Sequence, residues 1–363
     1  LLVDCSILPL LNEQDRTREL VAALTEPIQV GKREDFADVI AMVDYKDTPF
    51  TSMCPKGTEP ANTLYDWQMD AYAAVALGGI VDGTDVATTD YVNPAAQRAK
   101  AHGRIQIFRT AFMVSDLAQN VSDVAGIGRR GEMQRAVKKA IVQLKRNQEA
   151  TFCSDQDSQA DNGTVPYLTR GIGAWVNAGE VTITDAATAC PAAFVTPAAS
   201  VVTKTTATTL ESDLNNVTGS IYQQTGQQKD FDLLCGINLK AQFSSFAAWV
   251  PSAVTTVPLR RYNQDATSKS IIATVDFWQG DFGSLKLILS LFLAAGATGG
   301  AAANVKNGRG YLIDWDQLEL RYNRMPGYQE NPNLGGGPRG YVDSVAGLVV
   351  YNPLGLGKIA PTA

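Results

Sequence analysis

The sequence predicts an α+β protein, and three observations carry that expectation. One long amphipathic helix spans residues 131–152, with no second helix of its strength anywhere in the chain. The segments on both sides of it read as strand, turn and loop. Ahead of it, two alternating segments enclose a bent, low-charge stretch, as in a long β-hairpin.

The helix comes first because the rest is arranged around it. Met133, Val137, Ala140, Ile141, Leu144 and Phe152 recur at i, i+3, i+4 spacing and share one face. Arg135, Lys138, Lys139, Lys145, Arg146 and Glu149 fall mostly on the other. No proline interrupts it, and Ala, Lys, Gln, Arg and Glu favour helix. Its length is about 30 Å at 1.5 Å per residue. Burying its larger apolar side chains contributes on the order of 10 kcal/mol before chain entropy is subtracted.

In chain order, residues 1–35 mix short apolar and polar runs, as an arm laid on a neighbour does. Residues 35–46 form a short amphipathic segment with Phe36, Val39, Ile40 and Val43 on one side. Turns at Pro55, Gly57 and Pro60 lead into a strand at 63–69. Residues 71–94 carry Gly-Gly and Asp-Gly steps and no core periodicity, so they read as an exposed, bent loop. Residues 103–114 alternate polar and apolar and read as the returning leg of the hairpin. A hairpin this long is marginal alone in water. Its expected support is an adjacent subunit, with contacts from Trp67, Arg104 and Arg109 and a tip running from Leu77 to Asp90.

Beyond the helix, residues 179–209 are low in charge and read as short strands or an irregular insertion. Residues 211–225 form a helix with Leu214, Val217 and Ile221 on one face. A buried strand is expected at 232–236 and a further helix at 238–249. Strands follow at 270–278, 284–292, 310–313 and 344–351. No internal repeat and no cleanly dividing linker is present.

Composition excludes several function classes. The 363 residues are 45% hydrophobic and 19% charged, with net charge −6, enough for a sizeable core but wrong for a general nucleic-acid-binding surface. A local basic patch remains compatible with that balance. One histidine, His102, excludes metal sites built from several histidines and leaves a single candidate base for a nucleophilic triad; a polar strand residue is the better account of it. Five widely spaced cysteines, Cys5, Cys54, Cys153, Cys190 and Cys235, form no CxxC pair and read as reduced, mostly buried thiols. The opening LLVDCSILPLL lacks a basic leader and carries Asp4, so it reads as a poor signal peptide. Residues 287–303 are uncharged but too rich in Gly and small residues for a membrane span.

The chemical motifs are weak. Residues 126–131, GIGRRG, match G-x-G-x-x-G, but no buried parallel strand precedes them and no βαβ unit follows, so they read as a flexible entry to the helix. No P-loop occurs. Asp155, Asp157 and Asp161 before Gly163 miss the EF-hand spacing and read as a solvated acidic loop. Asp314 and Asp316 flank Trp315 and read as strand-end charges. Three glycosylation sequons, at Asn120, Asn162 and Asn216, carry no weight without a secretory signal. No catalytic, cofactor or metal site is expected. An extended arm, a long hairpin and one long helix describe an assembly protein.

At this point the order of parts resembles the major capsid proteins of tailed bacteriophages, which share the Hong-Kong-phage-type shell fold. The residues that carry the resemblance are DTPFTSMCPKGTEPANTLYDWQMD (47–70), GRIQIFRTAFMVSD (103–116), EMQRAVKKAIVQLKRNQEATF (132–152) and RGIGAWV (170–176). DFWQGDFGSLKLILSLFLA (276–294), YLIDWDQLEL (311–320) and VAGLVVYNPLGLGKIA (345–360) continue it. The resemblance is nearest to a capsid family long catalogued as a domain of unknown function. It implies an N-terminal arm and short helix over 1–56 and an extended loop over 57–114. It further implies a peripheral domain over 115–194 plus 340–363, built on spine helix 131–152, and an axial domain over 195–339. It implies no enzymatic activity and no cofactor. The implied role is a structural subunit of an icosahedral virion, assembled in the host cytoplasm. Its partners would be further copies in hexamers and pentamers and packaged double-stranded DNA on the inner face. Cement, portal or scaffold proteins are further candidates; a membrane is not. Residues 331–340 and the length of 177–209 depart from the family pattern. The alternatives are an encapsulin-type bacterial compartment, an enzyme using Asp155/Asp157 or Asp314/Asp316, and a tail or adhesin protein.

Overall fold

A computed structural model describes residues 46–75, 77–121, 127–128, 130–204, 209–246, 263–265, 270–272, 275–294 and 308–361. The arm at 1–35 and most of the amphipathic segment at 35–46 lie outside them.

The long helix, α3 (Glu132–Phe152), forms as its periodicity dictates. Ala140, Leu144 and Phe152 are buried, and Ile141 packs against the same core. α3 lies on a three-stranded antiparallel sheet of order β11-β12-β3, made of β3 (Gln106–Met113), β11 (Leu318–Asn331) and β12 (Arg339–Val350). Phe108 of β3 meets Phe152 edge-on at 5.9 Å. Short helix α1 (Pro49–Met53) covers the end of α3, and Phe50 is fully buried between Phe152 and Trp315.

A six-stranded sheet of order β4-β13-β10-β5-β9-β8 forms the second layer. Its strands are β4 (Val201–Lys204), β5 (Lys229–Cys235), β8 (Phe277–Gly280), β9 (Gly283–Leu289), β10 (Gly310–Ile313) and β13 (Gly357–Pro361). Helix α5 (Glu211–Thr225) lays Leu214, Val217 and Ile221 on it, against Leu233, Leu312 and Ile359. Asp213 accepts a hydrogen bond from the Leu210 amide at 2.7 Å to start that helix. Gly226, at φ 67°, ends it in a left-handed conformation that suits glycine. Helix α6 (Ile237–Phe246) follows β5 as expected, and residues 247–249 lie outside the described ones. β6 (Asn263–Asp265) and β7 (Ser270–Ile272) pair with each other, and two small helices, α2 (Asp116–Val121) and α4 (Ile172–Trp175), complete the elements used below.

Several expectations need correction. The returning leg of the hairpin is β2 (Ala99–Arg104), which pairs with β1 (Leu64–Met69) in the register Leu64↔Arg104 to Met69↔Ala99. The alternation at 106–113 belongs to β3, which leaves the hairpin and pairs with β12. Ile105, buried between them, is the pivot. The sequence predicts no strand between 314 and 343, yet β11 runs from Leu318 to Asn331 through Pro326 and Gly327. Register shifts at Tyr322/Arg324 and Arg324/Gly327 let the strand carry both residues.

Strand pairing also cuts across the expected division at residue 340. β11 joins β12 as its hairpin partner, and β13 enters the six-stranded sheet between β4 and β10. Residues 179–209 contain three short 3₁₀ turns and β4 alone among strands described there.

Candidate assembly surface

The base of the β1/β2 hairpin is fixed to its own body by two aromatic side chains. The Tyr65 hydroxyl donates to the Leu348 carbonyl at 2.9 Å, and the Trp67 indole N–H donates to the Val350 carbonyl at 3.1 Å. The two rings stack at 6.0 Å, and Trp67 also meets Trp175 at 5.5 Å. A side chain at Gly103 or Gly347 would collide with the Tyr65 ring, so both positions need glycine for this close approach.

Trp67 is therefore 6% exposed and packed inside its own chain. This corrects its expected role as an intersubunit contact: its strand position puts it on the face that meets β12. Arg104 needs the same correction, since its guanidinium donates to Asp185 at 2.6 Å in a nearly buried pair. Arg109 is different. Its side chain is 55% exposed, lies over the Tyr341 ring at 4.6 Å and sits 3.5 Å from the buried Asp343 carboxylate.

Beyond the hairpin base, the chain from Asp70 to Arg98 runs into solvent. Tyr72, Val75, Leu77, Ile80, Val81, Val86, Tyr91 and Val92 are all at least 64% exposed, and Leu77 is 98% exposed. Local bonds shape the stretch. The Asp90 carboxylate accepts from the Ala87 amide at 3.0 Å, while the Asp90 amide donates to the Ala87 carbonyl at 2.9 Å. Arg98 pairs with Asp70 at 3.1 Å across its neck. Eight large apolar side chains on one segment exceed the scattered exposure normal for a protein surface.

The residues weighed for chemistry serve the fold. Asp155 pairs with the fully buried Lys358 at 3.0 Å and with Arg309. Burial alone would raise its carboxyl, but Lys358 and Arg309 outweigh burial and hold it below the usual value. Lys358 also donates to Glu180 at 3.0 Å and to the Gly173 carbonyl at 2.7 Å, which ties β13 to the segment after α3. Asp157 pairs with the buried Arg170 at 2.8 Å, and Asp161 caps the Gly163 turn. Asp314 pairs with Lys229 at 2.6 Å and caps the turn that carries Asp316. His102 lies opposite Asp66 in the hairpin. Gly126 and Arg129 of the glycine motif lie outside the described residues.

Cys54, Cys153, Cys190 and Cys235 carry free thiols, and burial pushes Cys190 up to about 11 and Cys235 up to about 12; Cys5 lies outside the described residues. Among the described residues, no group of His, Cys, Asp or Glu is placed to hold a metal ion, and no helix is long and apolar enough to cross a membrane.

Sequence reasoning missed Glu149. Helical phase puts it beside Lys145, yet it is fully buried because α1 covers that end of α3. Its carboxylate accepts from the Phe50 and Thr51 amides, each at 2.7 Å. Burial raises its pKa, and those two N–H bonds act against the rise.

Comparison with known proteins fits this architecture. A major capsid protein of Escherichia phage Phieco32 is 33% identical over 143 residues, which cover 39% of this chain and 38% of that protein. The matched part is thus less than half of either. Solved structures extend the likeness to the fold. A chain of Gordonia phage Cozz superposes with TM-score 0.54 at 13% identity, covering 94% of this chain and 99% of that one. The capsid of a native GTA particle gives 0.55 at 11% identity, covering 94% and 100%. The capsid of Cyanophage P-SCSP1u gives 0.52 at 13% identity, covering 91% and 92%. The fold is the Hong-Kong-phage type of phage shell proteins. A family model described as SU10 major capsid protein matches residues 20–363, and the chain belongs to that family.

Proposed function

We propose that this chain is the structural subunit of an icosahedral virion shell, self-assembling into hexamers and pentamers around double-stranded DNA. The observation that carries the reading is the segment between Asp70 and Arg98, a loop of apolar side chains with a firmly anchored base. Covering those side chains with a neighbouring subunit contributes on the order of 10 kcal/mol before ordering costs. Leu77 and Asp90 mark the part of the loop that meets the neighbour, and Arg109 is a further contact on the exposed sheet edge.

In this reading residues 1–56 are the arm and short helix, and 57–114 the extended loop, with β3 at its end turned into the sheet. The α3 layer is the peripheral domain and the six-stranded layer the axial one. Assembly takes place in the host cytoplasm, and cement, portal or scaffold proteins are candidate further partners. The role is structural; of the carboxylates weighed for catalysis, Asp155, Asp157 and Asp314 are held in ion pairs.

Negative-stain microscopy with nuclease digestion tests this. Closed shells with nuclease-protected DNA in the source particles are expected. Closed shells that enclose protein and never DNA would favour an encapsulin-type compartment. Failure of the protein to form closed particles would contradict both.

A further inference from the structure

The polar face of α3 carries a run of basic side chains between Glu132 in its first turn and the buried Glu149. Between residues 133 and 148 the helix has Arg135, Lys138, Lys139, Lys145 and Arg146 and no acidic residue. At about 100° per residue, these five fall within roughly 120° of the helix circumference. Lys138, Lys139 and Lys145 are exposed, and among the described residues none of the three forms an ion pair. Gln134, Gln143 and Asn147, also exposed, add neutral hydrogen-bonding groups.

A merely solvated helix face gains from acidic and basic residues alternating at i, i+4, and like charges at that spacing oppose the helix. Here Arg135 and Lys139 stand at i, i+4, and Glu132 in the first turn is the one acidic side chain ahead of them on the helix. The chain as a whole is acidic, so the stripe is a local reversal of sign. From Lys138 to Lys145 it runs about 10 Å along the axis at 1.5 Å per residue. A duplex offers one phosphate charge about every 1.7 Å.

We infer that this stripe is the surface of the subunit that meets the phosphate backbone of packaged duplex DNA, with Lys138, Lys139 and Lys145 as the contacting residues. The inference rests on the shell reading above and adds which face of the subunit is turned to the genome. Three phosphate contacts per subunit are weak alone and salt-sensitive, and repetition over a closed shell multiplies them. Such a contact holds DNA near the wall without locking it there. The competing occupant is this chain's own residues 1–45, which carry nine acidic and four basic side chains. They join the described structure at Lys46, beside a cavity of about 410 Å³ lined by Asp47, Val142 and Lys145.

The test uses the full chain and a 30-base-pair duplex, read by anisotropy across a salt series. Weak binding at low salt, lost by physiological salt, is expected. The triple variant Lys138→Gln, Lys139→Gln, Lys145→Gln should lower the slope of log affinity against log salt by about 2.7, at about 0.9 per phosphate contact. Lys286→Gln, at an exposed side chain of β9, should leave the slope unchanged. An unchanged slope in the triple variant overturns the inference. So does a photo-crosslinker at position 138 that captures peptides from residues 1–45, instead of DNA, in filled particles. All these variants should still form closed shells. Shells with an unaltered slope sink the stripe alone, whereas absence of shells from the unsubstituted protein sinks the shell reading.

Discussion

Glu149 closes α1 onto α3 by giving two backbone amides a carboxylate. Glu149→Ala leaves the Phe50 and Thr51 amides without that partner, at an expected cost of about 1–3 kcal/mol in urea unfolding. Glu149→Gln retains a carbonyl acceptor and should lose less. An equal loss in both variants would mean that the charge, not the acceptor, matters. The acid side of the stability profile belongs to other carboxylates. Asp155, Asp157 and Asp185 are each pushed up by burial but held lower on balance by their cationic and N–H partners. A depressed folded value means that their stabilisation is complete above the unfolded carboxylate value near 3.8 and is lost as pH falls through the folded values below it. Unfolding midpoints measured downward from pH 5 should therefore drop most steeply below about pH 4. A Lys358→Met variant should flatten that drop. None of these pairs was legible in the sequence, since they join residues as far apart as Asp155 and Lys358, and spacing reports only local neighbours.

At the scale of elements, local periodicity was enough wherever one element buries one face. The long helix and the helix at 211–225 follow from their apolar stripes, and the strand at 310–313 has the expected bounds. Reading failed where a strand changes partner or breaks its own pattern. The alternation at 103–114 is continuous across Ile105, so nothing in it reveals that the chain leaves one sheet and joins another. β11 hides behind Pro326 and Gly327. Trp67 reads as a surface contact because alternation gives two faces of a strand without saying which one is covered.

The core role of α3 is tested by Ile141→Asp, which puts a carboxylate against the apolar cluster. An expected cost of several kcal/mol should leave the subunit insoluble. Soluble protein that still assembles would show that this face is not core. Gly347→Ala probes the hairpin anchor: it should displace the Tyr65 ring and lower the unfolding midpoint, while the exposed Gly78→Ala should not.

For the whole molecule, the described cysteines carry free thiols, buried at Cys54, Cys153 and Cys235, so cohesion is expected from packing between subunits. Particles should persist in reductant, and their dissolution by reductant alone would contradict this. The larger question is what covers the loop between Asp70 and Arg98. Its apolar side chains have no use in an isolated subunit, whereas its base is bound firmly to β12. The loop should thus be dispensable for folding and required for assembly. Replacing residues 77–90 by a short Gly-Ser turn separates the two, because shortening a loop changes closure entropy little. The decisive measurement is microscopy of that variant beside the unsubstituted protein, with circular dichroism and size exclusion on both. A folded variant that forms no shells, or only deformed ones, is the expected result; normal closed shells would contradict the intersubunit role of the loop, and an unfolded variant would place the loop in the subunit's own core.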